Sequence, residues 1–309
     1  MRPWLGTFVE IRAAADHAQT LNVAMESAFS AIARVHALMS FHDANSDVSR
    51  LNRSACLDPV MVDPWTFAVI SAGLKISARS LGLFDFTVAA QLVADGFLPV
   101  VANAQLPEQK ASWQDIELLD DRRVYFRRPL WIDLGGIAKG FAVDQAVAAL
   151  VTDGARCGIV NAGGDLRVFG GIDQVIQVRD PSAPQRTSRT LTVRDAALAT
   201  SSPYFSLRRH GSRRVSPLIN PRSGRSCTRN VSVSVQAPDC LHADALTKVV
   251  LADTLASQEI LNEYGAQALV LKSASHRVVP SCGLRQTRQT AWMLQAVINA
   301  TVLPGYFVC

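Results

Sequence analysis

Strand-like and helix-like segments alternate along this chain without a regular βαβ beat, and that irregularity constrains its fold more than any other feature. A short strand pattern covers Thr7–Arg12, and apolar side chains at helical spacing follow over 20–38 (Leu21, Ala24, Met25, Phe29, Ile32, Ala33, Val35, Leu38). Residues 41–52 are polar and turn-rich. A second helix is expected over Pro64–Ser80, with Pro64 suited to its first turn. The stretch 98–118 has no strong period and reads as a connector. Leu130–Leu134 reads as a strand ending at Gly135-Gly136, followed by a helix from Ile137 to Val151. Short strand patterns then come at 157–161, 165–169, 174–178, 189–193, 205–209 and 231–236, with helices at 242–253 and near 255–263. Hairpin signals such as His210-Gly211 separate some of these strands. The pattern predicts an α+β fold, with a mixed, mostly antiparallel sheet and flanking helices. No Pro/Gly/Ser-rich linker divides the chain, so residues 1–275 read as one globular unit and 276–309 as a C-terminal tail. The uncharged end of that tail, 290–309, is interrupted by Gln295, Asn299, Pro304 and Gly305, which favours a buried segment over a membrane anchor.

Composition narrows the class. With 49% apolar and 18% charged residues over 309, disorder, collagen and coiled coil are excluded and a large core is available. The net charge, 31 − 26 = +5, is modest. Only 5 of the 31 basic residues are Lys, a bias that suits bidentate phosphate or carboxylate contacts but that base composition of the gene explains equally well. The cluster Arg208, Arg209, Arg213, Arg214 has no interleaved aromatics and reads as a solvated hairpin, not a nucleic-acid surface. None of the six cysteines forms a C-x-x-C pair, so a thioredoxin-like motif and a zinc ribbon are excluded; they read as small buried hydrophobes in a reducing compartment. The N-terminus lacks a charged segment followed by an apolar one, which gives the expectation of a cytoplasmic protein, or a periplasmic one if that end has been trimmed.

The generic signatures of P-loop enzymes, dinucleotide dehydrogenases, zincins and α/β-hydrolases are missing. Four local constellations remain. In Asp133-Leu-Gly-Gly-Ile-Ala-Lys-Gly140, a carboxylate closes a strand, glycines admit a ligand and a Lys enters a helix, a set that suits a phosphate or an ordinary strand–turn–helix corner. Asn161-Ala-Gly-Gly-Asp165 reads as a tight turn with an Asx-type bond, or as part of a site. In Ala243–Val249, Asp244, Thr247 and Lys248 share one helix face; they could hold a hard cation, or form a simple Asp–Lys pair. Phe84-Asp-Phe-Thr-Val88 places an acid and a hydroxyl on a turn.

Taken in order, these strings resemble the ApbE family, the FAD:protein FMN transferases. Leu5-Gly-Thr-Phe-Val-Glu-Ile, Met39-Ser-Phe-His42, Ser46-Asp-Val-Ser-Arg-Leu-Asn52, Phe84–Val88 and Asp133–Gly140 carry the likeness, and Asn161–Asp165, Ala199-Thr-Ser-Ser, Ile219–Gly224 and Ala243-Asp-Ala-Leu continue it. It covers roughly residues 5–272. The resemblance implies an ApbE-like, T-fold-like architecture and a Mg²⁺-dependent reaction. In that reaction the FMN half of FAD passes to a Thr or Ser hydroxyl of a target flavoprotein and AMP is released. Hydrolysis of FAD to FMN and AMP, or FAD binding without catalysis, are the alternatives. By the same resemblance His42, Phe84, Asp85, Thr87, Asp133, Lys139 and Leu218 would contact FAD. Lys139 and Asp244 would serve catalysis, and Gly136, Asp244 and Thr247 would hold the metal. FAD and the acceptor protein would be the partners, with no nucleic acid and no membrane segment.

Three positions depart from the family pattern. His42 stands where the family has Tyr. Pro217 and Asn220 replace the His and Asp of the family's His-x-Ile-Asp-Pro, and proline cannot accept a proton. Lys248 replaces a Thr four residues after Asp244; either Thr247 substitutes for it and a metal is kept, or the Lys248 ammonium takes the place of the cation.

Overall fold

The computed structural model describes residues 1–272, so the tail expected at 276–309 lies outside the described residues. Seven strands form the main sheet, in the spatial order Arg2–Trp4, Thr7–Ala14, Cys157–Ala162, Asp165–Phe169, Ala197–Ser201, Val231–Ala237, Gln267–Lys272. Every neighbouring pair in it is antiparallel. The α+β expectation is met, with an antiparallel sheet instead of a mixed one.

Side chains of the central strands alternate between two cores, as the two-residue period of a strand requires. Val160, Ala162, Ala197, Ala199, Ala268 and Val270 face the larger core. There the helices Ala138–Thr152 and Cys240–Ala252 pack on the sheet and Ala18–Met39 packs on the first of them. Ile159, Leu166, Val168 and Leu198 face the other way, where the hairpin Gln174–Asp180/Ala183–Val193 covers them with Ile176 and Val193. Alanines on the helix side of the sheet let the helices approach closely.

Three local readings are corrected. The polar stretch 41–52 contains the helix Asp47–Ser54, whose N-cap Ser46 accepts from the Ser49 amide at 3.0 Å. Its polar residues are structural: Asp47 accepts from the Asp63 amide and the Thr66 hydroxyl, each at 2.8 Å. Asp63 in turn caps Pro64–Arg79, with Pro64 in its first turn as expected. Leu130–Ile132 and Leu134 are buried, but the segment is not a strand. Its Ile132 amide donates to Asn52 Oδ1 at 2.7 Å and its carbonyl accepts from Asn52 Nδ2 at 3.0 Å, so one side-chain amide replaces a strand partner. Within and beyond the expected connector, Ile116–Leu119, Arg123–Phe126 and Val60–Met61 form a small three-stranded sheet.

The arginine hairpin Arg208–His210/Arg213–Val215 is tied down from below. Arg208 lies over the Phe97 ring at 3.8 Å, and Arg213 meets the buried Asp95 at 3.3 Å. Of the cysteines expected to be buried, Cys240 is, whereas Cys56, Cys157 and Cys227 are half-buried; all four are unpaired. Among the described residues, no helix is long and apolar enough to cross a membrane.

Candidate active site

A cavity of about 270 Å³ opens where the Phe84–Val88 turn, the start of the Ala138–Thr152 helix, the strand end Thr200–Ser201 and the Cys240–Ala252 helix converge. Phe84, Phe205 and Leu218 supply apolar wall, and Asp133, Lys139 and Lys248 supply charge. The Asp133 amide donates to the Phe86 carbonyl at 2.8 Å, which fastens the Phe84 turn to the glycine segment.

The charged end is a network of acids and lysines. Lys139, in the first turn of its helix, pairs with the buried Asp165 and lies 3.6 Å from Asp244 Oδ2. Asp244 is fully buried; Oδ1 is held by Lys248 one turn along the same helix, and Oδ2 accepts from the Gly140 amide at 3.1 Å. Asp165 follows a Gly163-Gly164 turn in which both glycines have positive φ and the Asn161 side chain accepts from the Gly164 amide at 2.9 Å. The Asx-type turn expected there is present, and its role is to aim Asp165 at Lys139.

Burial opposes ionisation of Asp244, but Lys139, Lys248 and the Gly140 amide together hold its pKa below the ordinary carboxylate value. Asp165 goes the other way, because burial and the neighbouring Asp244 charge outweigh the pull of the lysines. Burial also raises Asp133 to about 6, against the Gly135 amide and the two lysines. Since this folded value lies above 3.8, the stability Asp133 contributes is full below 3.8 and is lost as pH rises through about 6. Asp133→Asn is therefore expected to raise stability above pH 6 by about 1 kcal/mol, an effect limited because the side chain opens onto the cavity. Thermal melts from pH 4 to 8 check this; a variant that melts lower than wild type at pH 7 would contradict it.

The structure gathers some expected residues and separates others. Phe84, Asp85, Asp133, Gly136, Lys139, Leu218 and Lys248 line the cavity, whereas His42, Thr87, Asp244 and Thr247 do not. His42 is exposed, and its amide donates to the Ser40 hydroxyl at 3.2 Å. Thr87 donates its amide and its hydroxyl to Asp85 Oδ1, at 2.8 and 2.7 Å, so this pair shapes the turn. Four of the amides around the helix start, expected to cradle a phosphate, are spent inside the protein. Those of Ile137 and Ala138 donate to the Leu134 carbonyl, that of Gly140 to Asp244 and that of Gly135 to Asp133. The two ammonium groups, each paired with a carboxylate, are the cationic groups that meet the cavity. Asp165 was not among the site residues expected from the sequence, although its Gly-Gly-Asp string left a role in a site open.

The metal set expected from sequence does not fit a divalent ion. The Thr247 hydroxyl donates to the Asp244 carbonyl at 2.7 Å and shares a 2.7 Å bond with the Ser201 hydroxyl, so it is already engaged within the protein. Both Asp244 carboxylate oxygens are engaged as described. Among the described residues, no group of three or more His, Cys, Asp or Glu could hold a metal. A magnesium ion usually takes one or two carboxylates and completes its octahedron with waters and phosphate oxygens, and here the one carboxylate offered to it, Asp244, already holds an ammonium and an amide.

An antiparallel sheet backed by two packed helices thus carries a cavity with apolar walls and two lysines at one end. The model of the ApbE family matches residues 5–270, and the chain belongs to that family. A FAD:protein FMN transferase of Vibrio cholerae is 29% identical over 222 residues, which are 67% of this chain and 66%, slightly under two thirds, of that protein. The crystal structure of an ApbE protein from Thermotoga maritima superposes with a TM-score of 0.75 at 28% identity, over 87% of this chain and 92% of that one. The apo form of a Pseudomonas stutzeri flavinyl transferase ApbE gives 0.72 at 21% identity, over 87% and 89%, and supports the fold.

Proposed function

We propose that this chain transfers the FMN half of FAD to a Ser or Thr hydroxyl of a target flavoprotein. The hydroxyl oxygen forms a bond to the FMN phosphorus, the bond from that phosphorus to the bridging oxygen breaks, and AMP leaves with that oxygen. The observation that carries the reading is the convergence of Lys139 and Lys248 on the cavity that Phe84 and Leu218 wall. A flavin ring suits the apolar wall, and a pyrophosphate suits the two ammonium groups. At about 270 Å³ the cavity lies near the lower end of ligand pockets, so FAD would seat one part inside and extend the rest outward.

Each charged residue then has a task. Lys139, held by Asp165 and Asp244, offsets charge that grows on the transferred phosphate. Pro217 lines the cavity and takes no proton, and the Asn220 amide is spent on the Ala252 carbonyl at 3.2 Å and the Ser223 amide at 3.2 Å. Asp133 lines the cavity with a pKa of about 6, so it is mostly ionised at neutral pH and accepts the proton of the acceptor hydroxyl. The Mg²⁺ that the resemblance implies has no fitting donor set here, and no step is assigned to it.

Titration of the protein with FAD and with riboflavin, followed by flavin fluorescence, tests the site. FAD is expected to bind more tightly, because only FAD brings phosphates to Lys139 and Lys248. Equal affinities would sink the reading.

A further inference from the structure

We infer that the Lys248 ammonium is itself the cation of this site, standing beside Gly136 and Asp244 where the resemblance would put a divalent ion, so that FAD binds without added metal. The identity of the ligand rests on the FMN-transfer reading. The position of the ammonium rests on contacts alone. Its nitrogen bonds both the Asp244 carboxylate and, at 3.1 Å, the Asp244 carbonyl. The stem runs past Gly136, where an added Cβ would lie 3.6 Å from Lys248 Cε. Lys248 lines the cavity and keeps 18% of its side-chain surface exposed, so it is anchored at one side and open at the other.

An ammonium has three donors. Two are accounted for by Asp244, which leaves one directed to a ligand in the cavity. A divalent ion at this place would sit against a fixed like charge in a partly buried site, where screening is weak. It would also find the Asp244 carboxylate already engaged and Thr247 turned toward Ser201. Lysine supplies a point charge that no chelator can remove, and a single charge in place of two.

The test uses the full chain. FAD affinity is measured by flavin fluorescence in excess EDTA and in excess Mg²⁺, and Mn²⁺ binding to the same protein is followed by electron paramagnetic resonance. Wild type is expected to bind FAD equally in both buffers, within about twofold, and to take up no stoichiometric Mn²⁺. Lys248→Thr is expected to weaken FAD binding in EDTA by about tenfold or more, with recovery in Mg²⁺ and a new Mn²⁺ site. Lys248→Gln keeps a hydrogen-bonding side chain, one bond shorter and without the charge, and should show the same loss in EDTA if the threonine variant does not fold. Wild-type binding that strengthens more than about tenfold with Mg²⁺, or one tightly bound Mn²⁺ per chain, would overturn the inference and leave the transfer reading standing. Failure to bind FAD in either buffer would overturn both.

Discussion

Gly140→Ala is expected to destabilise this protein by about 3 kcal/mol, although alanine favours a helix interior over glycine by about 1 kcal/mol. Gly140 sits in the helix Ala138–Thr152 at its crossing with Cys240–Ala252. A Cβ there would lie 2.1 Å from the Cys240 carbonyl oxygen, 2.6 Å from its carbon and 2.9 Å from Asp244 Cβ. Two of these atoms are backbone, so relief requires the helices to part. Parting them would break the Gly140 amide bond to Asp244 and shift Lys139 relative to Asp165, so FAD affinity should fall with stability. Urea unfolding reads the first effect and flavin fluorescence the second. An unchanged urea midpoint would contradict the close crossing.

The second large effect is expected at Lys139. Lys139→Met removes the partner of Asp165, whose side chain is 3% exposed, and a second cation from the fully buried Asp244. Breaking a buried pair at one member costs about 3–5 kcal/mol, because the remaining charge is left uncompensated. The loss should depend on pH with a definite sign. Asp165 already has a raised pKa, so without Lys139 its proton is held to still higher pH. Once protonated it needs no partner, and the stability gap to wild type should narrow as pH falls. If transfer is assayed under conditions where the variant remains folded, the loss of one preorganised cation should lower turnover by about 10²–10³-fold. A gap that is constant with pH would mean that Lys139 contributes packing and not charge.

The fold was legible wherever periodicity carried it. The helix Ala18–Met39 buries Ala24, Ala28, Phe29, Ile32 and Val35, the spacing visible in the sequence. Legibility failed where a side chain did the work of a backbone. Leu130–Leu134 has the apolar run of a strand, yet its partner is the Asn52 amide, 80 positions away. Asp47–Ser54 has too few apolar residues to announce a helix, and Ser46 and the capped neighbour helix hold it in place. Ala197–Ser201, a central strand, is short and alanine-rich, so no β-branched run marks it.

In the site, the Asp133–Gly140 and Ala243–Val249 strings lie together as the family resemblance implied, and Lys139 and Lys248 face one cavity. Direction was the part that could not be read. Thr247 and Lys248 are adjacent in sequence, and the turn of the helix sends the first toward Ser201 and the second toward Gly136. Likewise, amides at the helix start look available for a phosphate until the Leu134 carbonyl and Asp244 are seen to use them. The Gly-Gly turn before Asp165 was readable as a turn, but only the fold brings it beside Lys139.

Transfer itself is read out in one incubation. FAD is mixed with the purified chain, with and without a flavin-acceptor domain bearing a threonine, and the products are separated by chromatography and weighed by mass spectrometry. The account predicts AMP only when the acceptor is present, together with an acceptor heavier by one FMN phosphoryl unit. AMP and free FMN formed without the acceptor would make the protein a hydrolase, and FAD bound but intact in both mixtures would make it a binding protein; either would contradict the account.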